Sequence, residues 1–250
     1  MPTPSKKVLS HFRERSARYN KSSNWVVDPE LLGKIFDMAG IRGGETVLDM
    51  ATGTGLVAKQ FHGKVAEVVG LDISPDMTRQ ASEYVDRLLI SPVESIPLPS
   101  ESVDVCVCRQ GLQFVDLPKA ISEVARVLKP GGRAVFCHLY AYGDQDAADA
   151  FKIQALRNPS RVNFFKPGSL EAVLEPRGLS VTQTVRYLSR ESVNQWIDHG
   201  VGGEAERRAI KDAYAAASSE FRSIHRIETA GDDLFDTMLF LILRAEKWKN

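Results

Sequence analysis

The sequence predicts a doubly wound α/β fold, and three observations predict it. Short apolar, β-branched runs alternate with helical patterns as far as about residue 140. A glycine-bearing turn, TGTG, follows the first of these runs directly, and an apolar run, DTMLFLILRAEK, lies at the end of the chain. Strands that alternate with helices imply a mostly parallel sheet covered on both faces by right-handed crossovers. A last strand that is apolar nearly throughout belongs inside the same sheet.

The elements follow in order. KKVLSHFRERSARY carries apolar residues at loose helical spacing among charges and reads as a short amphipathic helix. DPELLGKIFDMAG is the next helix, with Asp28 as cap, Pro29 in the first helical position and Gly40 as the stop. ETVLDMA is a strand and GLVAKQFHG a helix. VAEVVGLDI repeats the strand, and Ser74 and Pro75 open another helix. RLLIS, VDVCVCR and RAVFCHLY are further strands, and LPKAISEVARVLKPGG is a helix closed by Pro130, Gly131 and Gly132. Beyond Tyr140, DQDAADAFKIQALRN, GSLEAVLEPRG, RESVNQWIDHG and GEAERRAIKDAYAAASSEFRSI read as helices, with VTQTVRYL as a strand among them. The expected organisation is a segment 1–27, a core 28–140, a helical insertion with one core strand at 141–232, and a closing strand at 233–250.

At 250 residues the chain can bury a core without disulfides or structural metals. Its 32 basic and 32 acidic side chains cancel, so there is no electrostatic footprint for a nucleic acid or an anionic membrane. Cys106 and Cys108 alternate on one strand, too close for a strain-free bridge. With Cys137 they read as buried thiols in a reducing compartment, and no ligand spacing predicts a metal. No run reaches the length of a membrane span and the N-terminus lacks an apolar signal core, so the expected location is the cytoplasm. The sequence leaves the oligomeric state open.

The stretch VLDMATGTGLVA, Val47 to Ala58, carries the chemistry. Gly53 and Gly55 allow a tight turn and close approach to a ligand, and Ala58 lets the following helix pack on the sheet. Asp72, about twenty residues on and at the end of the second strand, is placed to accept ribose hydroxyls, which points to an adenosine ligand. Asp49 decides which one. An acid beside the turn repels a pyrophosphate but suits S-adenosylmethionine, which has no phosphate and carries an ammonium and a sulfonium. Thr52 and Thr54 offer hydroxyls to its carboxylate. The alternative is that Asp49 only bonds the loop amides.

VLDMATGTG, VVGLDISPDM, VESIPLPSESVDVCVC, GLQFVD and EVARVLKPGG, in this order, resemble the class I S-adenosylmethionine-dependent methyltransferases. The similarity is strongest to the branch that holds the ubiquinone and menaquinone C-methyltransferases and many small-molecule enzymes, and it covers about residues 28 to 140. It implies a seven-stranded sheet whose last strand is antiparallel. It also implies that Asp72 holds the ribose, that Ile73 and Met77 flank the adenine, and that Ala51, Gly53 and Gly55 line the methionine end. The segment Pro92, Val93 and Glu94 stands where the family meets the adenine amino group. Pro92 replaces the usual acid or amide, leaving the Val93 amide, with Ser91 as a substitute. Tyr19 and Trp25 fall in the segment that closes over the cofactor in this family.

Methyl transfer from a sulfonium is an in-line displacement, so the protein must align the acceptor and, where needed, take a proton. His138 is the expected base, with a half-buried structural histidine as the alternative. Arg109 either orients an anionic acceptor or pairs with a helix acid, and Gln113 either touches the methionine portion or caps the next helix. Tyr140, Tyr142, Phe164, Phe165, Trp196 and Phe221 wall a pocket for a flat or apolar small molecule, or serve as core. Arg157 and Arg161 attract a carboxylate, or are ordinary exposed helix arginines. The competing functions are an NAD-dependent oxidoreductase, an RNA or protein methyltransferase, and a cofactor-binding module without transfer activity.

Overall fold

The computed structural model describes residue 20, residues 23–198 and residues 203–249. Tyr19, His199 and the expected first helix lie outside the described residues.

Helix α1 spans Asn24–Val27 and α2 Pro29–Ala39. In α2 the Asp28 carboxylate accepts from the Glu30 amide at 2.9 Å, and Gly40 closes the helix in the left-handed region at φ 58°. Strand β1 (Thr46–Met50), helix α3 (Ala58–Phe61), β2 (Glu67–Asp72), α4 (Pro75–Thr78), β3 (Arg87–Ile90), β4 (Val103–Arg109), α5 (Leu117–Val127) and β5 (Leu128–Tyr140) follow. Then come α6 (Asp144–Arg157), α7 (Glu171–Leu174), β6 (Leu179–Ser192), α8 (Val193–Asp198), α9 (Glu204–Ala215), α10 (Ser219–Ile224), β7 (Glu228–Ala230) and β8 (Asp233–Lys247).

The strands form one sheet in the order β3-β2-β1-β4-β5-β8-β6. The pairs from β3 to β5 are parallel, and β8 runs antiparallel to both β5 and β6. The strand order reverses between β1 and β4, which opens a crevice at their C-terminal ends, where α/β folds bind ligands. Alternation along the strands sends Val47, Val107, Cys137 and Ile242 into a core shared with α2, α6 and the helices α8 to α10. Leu48, Cys108, Phe136 and Leu241 enter a second core against α5 and α7. Cys106 and Cys108 share that second core, and burial pushes the Cys108 thiol up to about 12.

Several elements differ from the sequence expectation. The sheet has eight strands rather than seven, because Glu228–Ala230 pairs with the start of β8. Helix α5 stops at Val127, before Pro130, and β5 runs through the Pro-Gly-Gly turn. Leu128 has already turned extended at ψ 136°, and a residue that precedes proline resists the helical region, so Lys129 cannot continue the helix. GLVAKQFHG holds only the four-residue α3, since the glycine turn occupies its first half. GEAERRAIKDAYAAASSEFRSI is two helices, α9 and α10. Ser218 interrupts it by capping the Phe221 amide while bonding Asp149. The residues Arg190, Glu191 and Ser192, expected in a helix, extend β6 instead because they pair with β8.

The insertion is pinned to the sheet by a buried charge cluster. His225 Nδ1 lies 2.8 Å from Asp236 on β8 and Nε2 3.0 Å from Asp146 on α6, and the Tyr214 hydroxyl donates to the other Asp236 oxygen. With a carboxylate at each nitrogen the ring is held as imidazolium. The two acids outweigh desolvation and raise its pKa to about 9. The sign follows by linkage: the stabilisation is complete below the unfolded value near 6.5 and is lost as pH rises through about 9. Urea unfolding between pH 6.5 and 10 is expected to show a loss of up to about 3 kcal/mol, and His225→Gln to remove most of that slope.

Among the described residues no helix is long and apolar enough to cross a membrane, and no cluster of side chains forms a metal site.

Candidate functional site

The crevice beyond β1 and β2 gathers the glycine turn and both acids. Asp49 is 1% exposed. Its Oδ2 accepts the Thr52 hydroxyl at 2.6 Å and the Ala58 amide at 3.0 Å. Burial pushes its carboxyl up to about 7, against the pull of the Thr52 hydroxyl, the Arg109 charge and the Ala58 amide; the Asp72 carboxylate adds a smaller push. Asp72 accepts the Gly53 amide on Oδ2 and the Ser74 amide on Oδ1, each at 2.9 Å, and desolvation raises its pKa as well. Each Asp72 oxygen thus takes one amide, leaving further lone pairs for hydroxyls.

The backbone here is unusual in two places. Ala51 at φ 53° and Gln110 at φ 58° both occupy the left-handed region without being glycine, one at the end of β1 and one at the end of β4. Strain of this kind concentrates where a site over-determines the chain. Gly53 and Gly55 are also left-handed, at φ 55° and 80°. Met77 packs against Gly53, with its terminal methyl 3.5 Å from where a Cβ would stand.

The remaining cofactor candidates divide. Ile73 sits between Asp72 and Ser74 beside the turn, and Val93 is buried. Glu94 does not point at the crevice free: its carboxylate accepts the Asp116 amide at 2.9 Å, at the entrance to α5. Ser91 donates its hydroxyl to the Ser95 carbonyl, and the Pro92 carbonyl accepts the Ser95 amide, which closes a turn there. Thr54 donates to Asn20, a contact without any sequence signal.

Arg109 pairs with no helix acid among the described residues. Its guanidinium donates to the Val26 carbonyl at 2.8 Å and stands over the Trp25 ring, so it holds the C-terminal end of α1 while its charge reaches Asp49. Glu191 takes the opposite end, accepting the Asn24 and Trp25 amides at 2.9 and 3.1 Å. Gln113 does not cap α5, a role taken by Asp116; its amide donates to Gln110 at 2.8 Å.

His138 stands apart from the expected base. Strand β5 continues to Tyr140, so His138 lies inside the strand, on the face opposite Asp49, with its ring tilted against that of Phe165 at 5.2 Å. It is 1% exposed, and burial lowers its pKa to about 3. Such an imidazole is neutral and weakly basic at neutral pH.

Of the aromatics, Tyr140 stacks on Phe165 at 5.5 Å, while Trp196 and Phe221 flank a cavity with Tyr214, Ile153 and Met238 that has room for about one water. Tyr142 donates to the Thr237 carbonyl and meets His225 edge-on, and Phe164 packs with Phe151. Arg157 donates to the Trp196 carbonyl. Arg161 lies in the loop after α6, off any helix.

Residues 48–136 match the family described as Methyltransferase domain. An uncharacterized methyltransferase of Bacillus subtilis, YcgJ, is 30% identical over 203 residues, 77% of this chain and 79% of that protein. Its crystal structure superposes with a TM-score of 0.79 at 26% identity, covering 88% of this chain and 98% of that one. The malonyl-[acyl-carrier protein] O-methyltransferase of Serratia marcescens is 24% identical over 86% of this chain and 90% of its own length. Geranyl diphosphate C-methyltransferase of Streptomyces coelicolor, solved with S-adenosyl-L-homocysteine, shares the fold: TM-score 0.61 at 15% identity, over 87% of this chain and 75% of that one.

Proposed function

The chain belongs to the class I S-adenosylmethionine-dependent methyltransferases, with S-adenosylmethionine as cofactor, and from that premise we propose that it methylates a small molecule bound over the C-terminal ends of β4 and β5. The observation that supports this most is the pair of acids around the glycine turn, Asp49 fully buried and Asp72 half-buried. A desolvated carboxylate with one oxygen engaged suits a cationic ligand, and a second one with a lone pair left on each oxygen suits a ribose. The same acid count disfavours a dinucleotide, whose pyrophosphate would lie beside Asp49.

In this reading Asp49 and Thr52, with the Ala51, Gly53 and Gly55 backbone, hold the methionine end, Asp72 the ribose, and Ile73, Met77 and Val93 the adenine. When bound, the cofactor supplies an electrophilic methyl group. Arg109 acts indirectly, by holding α1 against the site and balancing Asp49. Burial leaves His138 a weak base that takes up a second proton only at about pH 3 and below, so in this reading transfer rests on aligning an acceptor that is already nucleophilic. The Tyr140 and Phe165 rings favour an acceptor with a flat or apolar part.

The test uses methyl-labelled cofactor with a cell extract divided into low-mass, protein and RNA fractions. Label is expected in the low-mass fraction. Label confined to protein or RNA replaces the small-molecule reading, and calorimetry without S-adenosylmethionine binding removes the whole proposal.

A further inference from the structure

Beyond the ends of β4 and β5, several buried polar atoms have no hydrogen-bond partner among the described residues: Gln110 Nε2, Gln113 Oε1, both ring nitrogens of His138, the Tyr140 hydroxyl and, on α7 beside it, Glu171 Oε2. His138, Tyr140 and Gln113 are at most 4% exposed. Unpartnered groups this deeply buried each cost about 1–3 kcal/mol, so their convergence at one place calls for a polar ligand. The loop after α6 crosses directly above them. The Val162 and Asn163 amides both donate to the Gln113 carbonyl, and the Phe165 backbone is joined to the end of β5.

Arg161 leads this loop. Its guanidinium donates to the side-chain amide oxygen of Gln154 and leans on the Phe164 ring, and among the described residues no carboxylate pairs with it. Desolvation alone lowers its pKa to about 9, so it remains a cation at neutral pH, and its field reaches His138. A half-buried guanidinium without an acid is unfavourable, and its fork matches a carboxylate. One cation balances one negative charge, which favours a carboxylate over a doubly charged phosphate. Glu171, the acid beside Tyr140, has a carboxylate oxygen without a partner among the described residues, so this end of the cluster suits a neutral hydrogen-bond donor of the ligand.

We infer that the methyl acceptor carries a single carboxylate anchored by Arg161, with the Gln110 amide and the neutral His138 ring as polar neighbours and Phe165 as an apolar floor. This rests on the methyltransferase reading of the adjoining crevice.

The experiment first titrates S-adenosylhomocysteine by calorimetry. The saturated protein is then screened by ligand-observed NMR against a panel of aromatic and aliphatic monocarboxylic acids, each paired with its primary amide. At least one acid is expected to bind more than about tenfold tighter than its amide, the range of a charge-assisted contact. In Arg161→Met that preference is expected to shrink to about twofold with S-adenosylhomocysteine affinity unchanged, and Arg161→Lys to keep part of it. A panel without acid preference, or a preference that survives in Arg161→Met, overturns the inference while leaving the cofactor site intact. Wild-type protein that does not bind S-adenosylhomocysteine overturns the methyltransferase reading and this inference together. The wild-type comparison stands even if a variant misfolds.

Discussion

Asp49→Asn is expected to stabilise the free protein near and above pH 7 and, at the same time, to weaken S-adenosylmethionine binding about 30-fold. Both effects come from one buried charge. The folded-state pKa of about 7 lies above the ordinary value of 3.8, so the folded chain binds the proton more tightly than the unfolded chain. The stability tied to the protonated form is therefore complete below about pH 4 and is lost as pH rises through about 7, by up to about 4 kcal/mol. Asparagine keeps a carbonyl for the Thr52 hydroxyl and the Ala58 amide but carries no charge, so the loop survives and the penalty goes. What disappears with it is the attraction for a cationic ligand, worth about 1.5–3 kcal/mol for a charged contact. For the wild type, calorimetry is expected to show affinity falling about tenfold per unit below pH 7 as Asp49 takes up its proton, and the variant to be nearly flat. Affinity within about threefold of wild type would reduce Asp49 to a loop brace.

Gly55→Ala is expected to cost about 3 kcal/mol, roughly 10 °C in melting temperature, and to abolish cofactor binding. Gly55 is left-handed at φ 80°, and an added Cβ would stand 2.7 Å from the Ala81 Cα and 3.2 Å from the Tyr84 ring. Backbone and ring are packed behind the turn, so the loop itself must move, and the turn's amides move with it. Gly63 supplies the control. It is left-handed too, at φ 71°, but nothing lies within 4 Å of its would-be Cβ, so Gly63→Ala carries only the conformational cost of about 1 kcal/mol. Thermal melts of the two variants separate strain from collision, and equal shifts would contradict the packing described here.

Helix α2 was legible because Asp28, Pro29 and Gly40 act on their own neighbours in the chain. The glycine turn and Asp72 were legible for a similar reason: a strand, a turn and a second strand end bring Asp72 to the Gly53 amide across only nineteen residues. The break between α9 and α10 was not, since Ser218 depends on Asp149, sixty-nine residues away. Glu94 and Ser91 looked available to a cofactor because nothing in the sequence shows which amide or carbonyl will face them.

Composition, periodicity and the spacing of Asp49, the glycines and Asp72 by themselves determined the sheet, its ligand crevice and the preference for a phosphate-free cationic nucleoside. Only the folded chain decided what surrounds each charge. Arg109 meets the Val26 carbonyl eighty-three residues away, and His225 meets Asp146 across seventy-nine. His138 lies inside a strand on the face turned away from Asp49, and Arg161, with no carboxylate paired to it among the described residues, lies above the edge of the sheet. Local rules act through a few neighbouring residues, whereas desolvation and charge depend on every element packed around a group, and those contacts come into being only when the sheet closes.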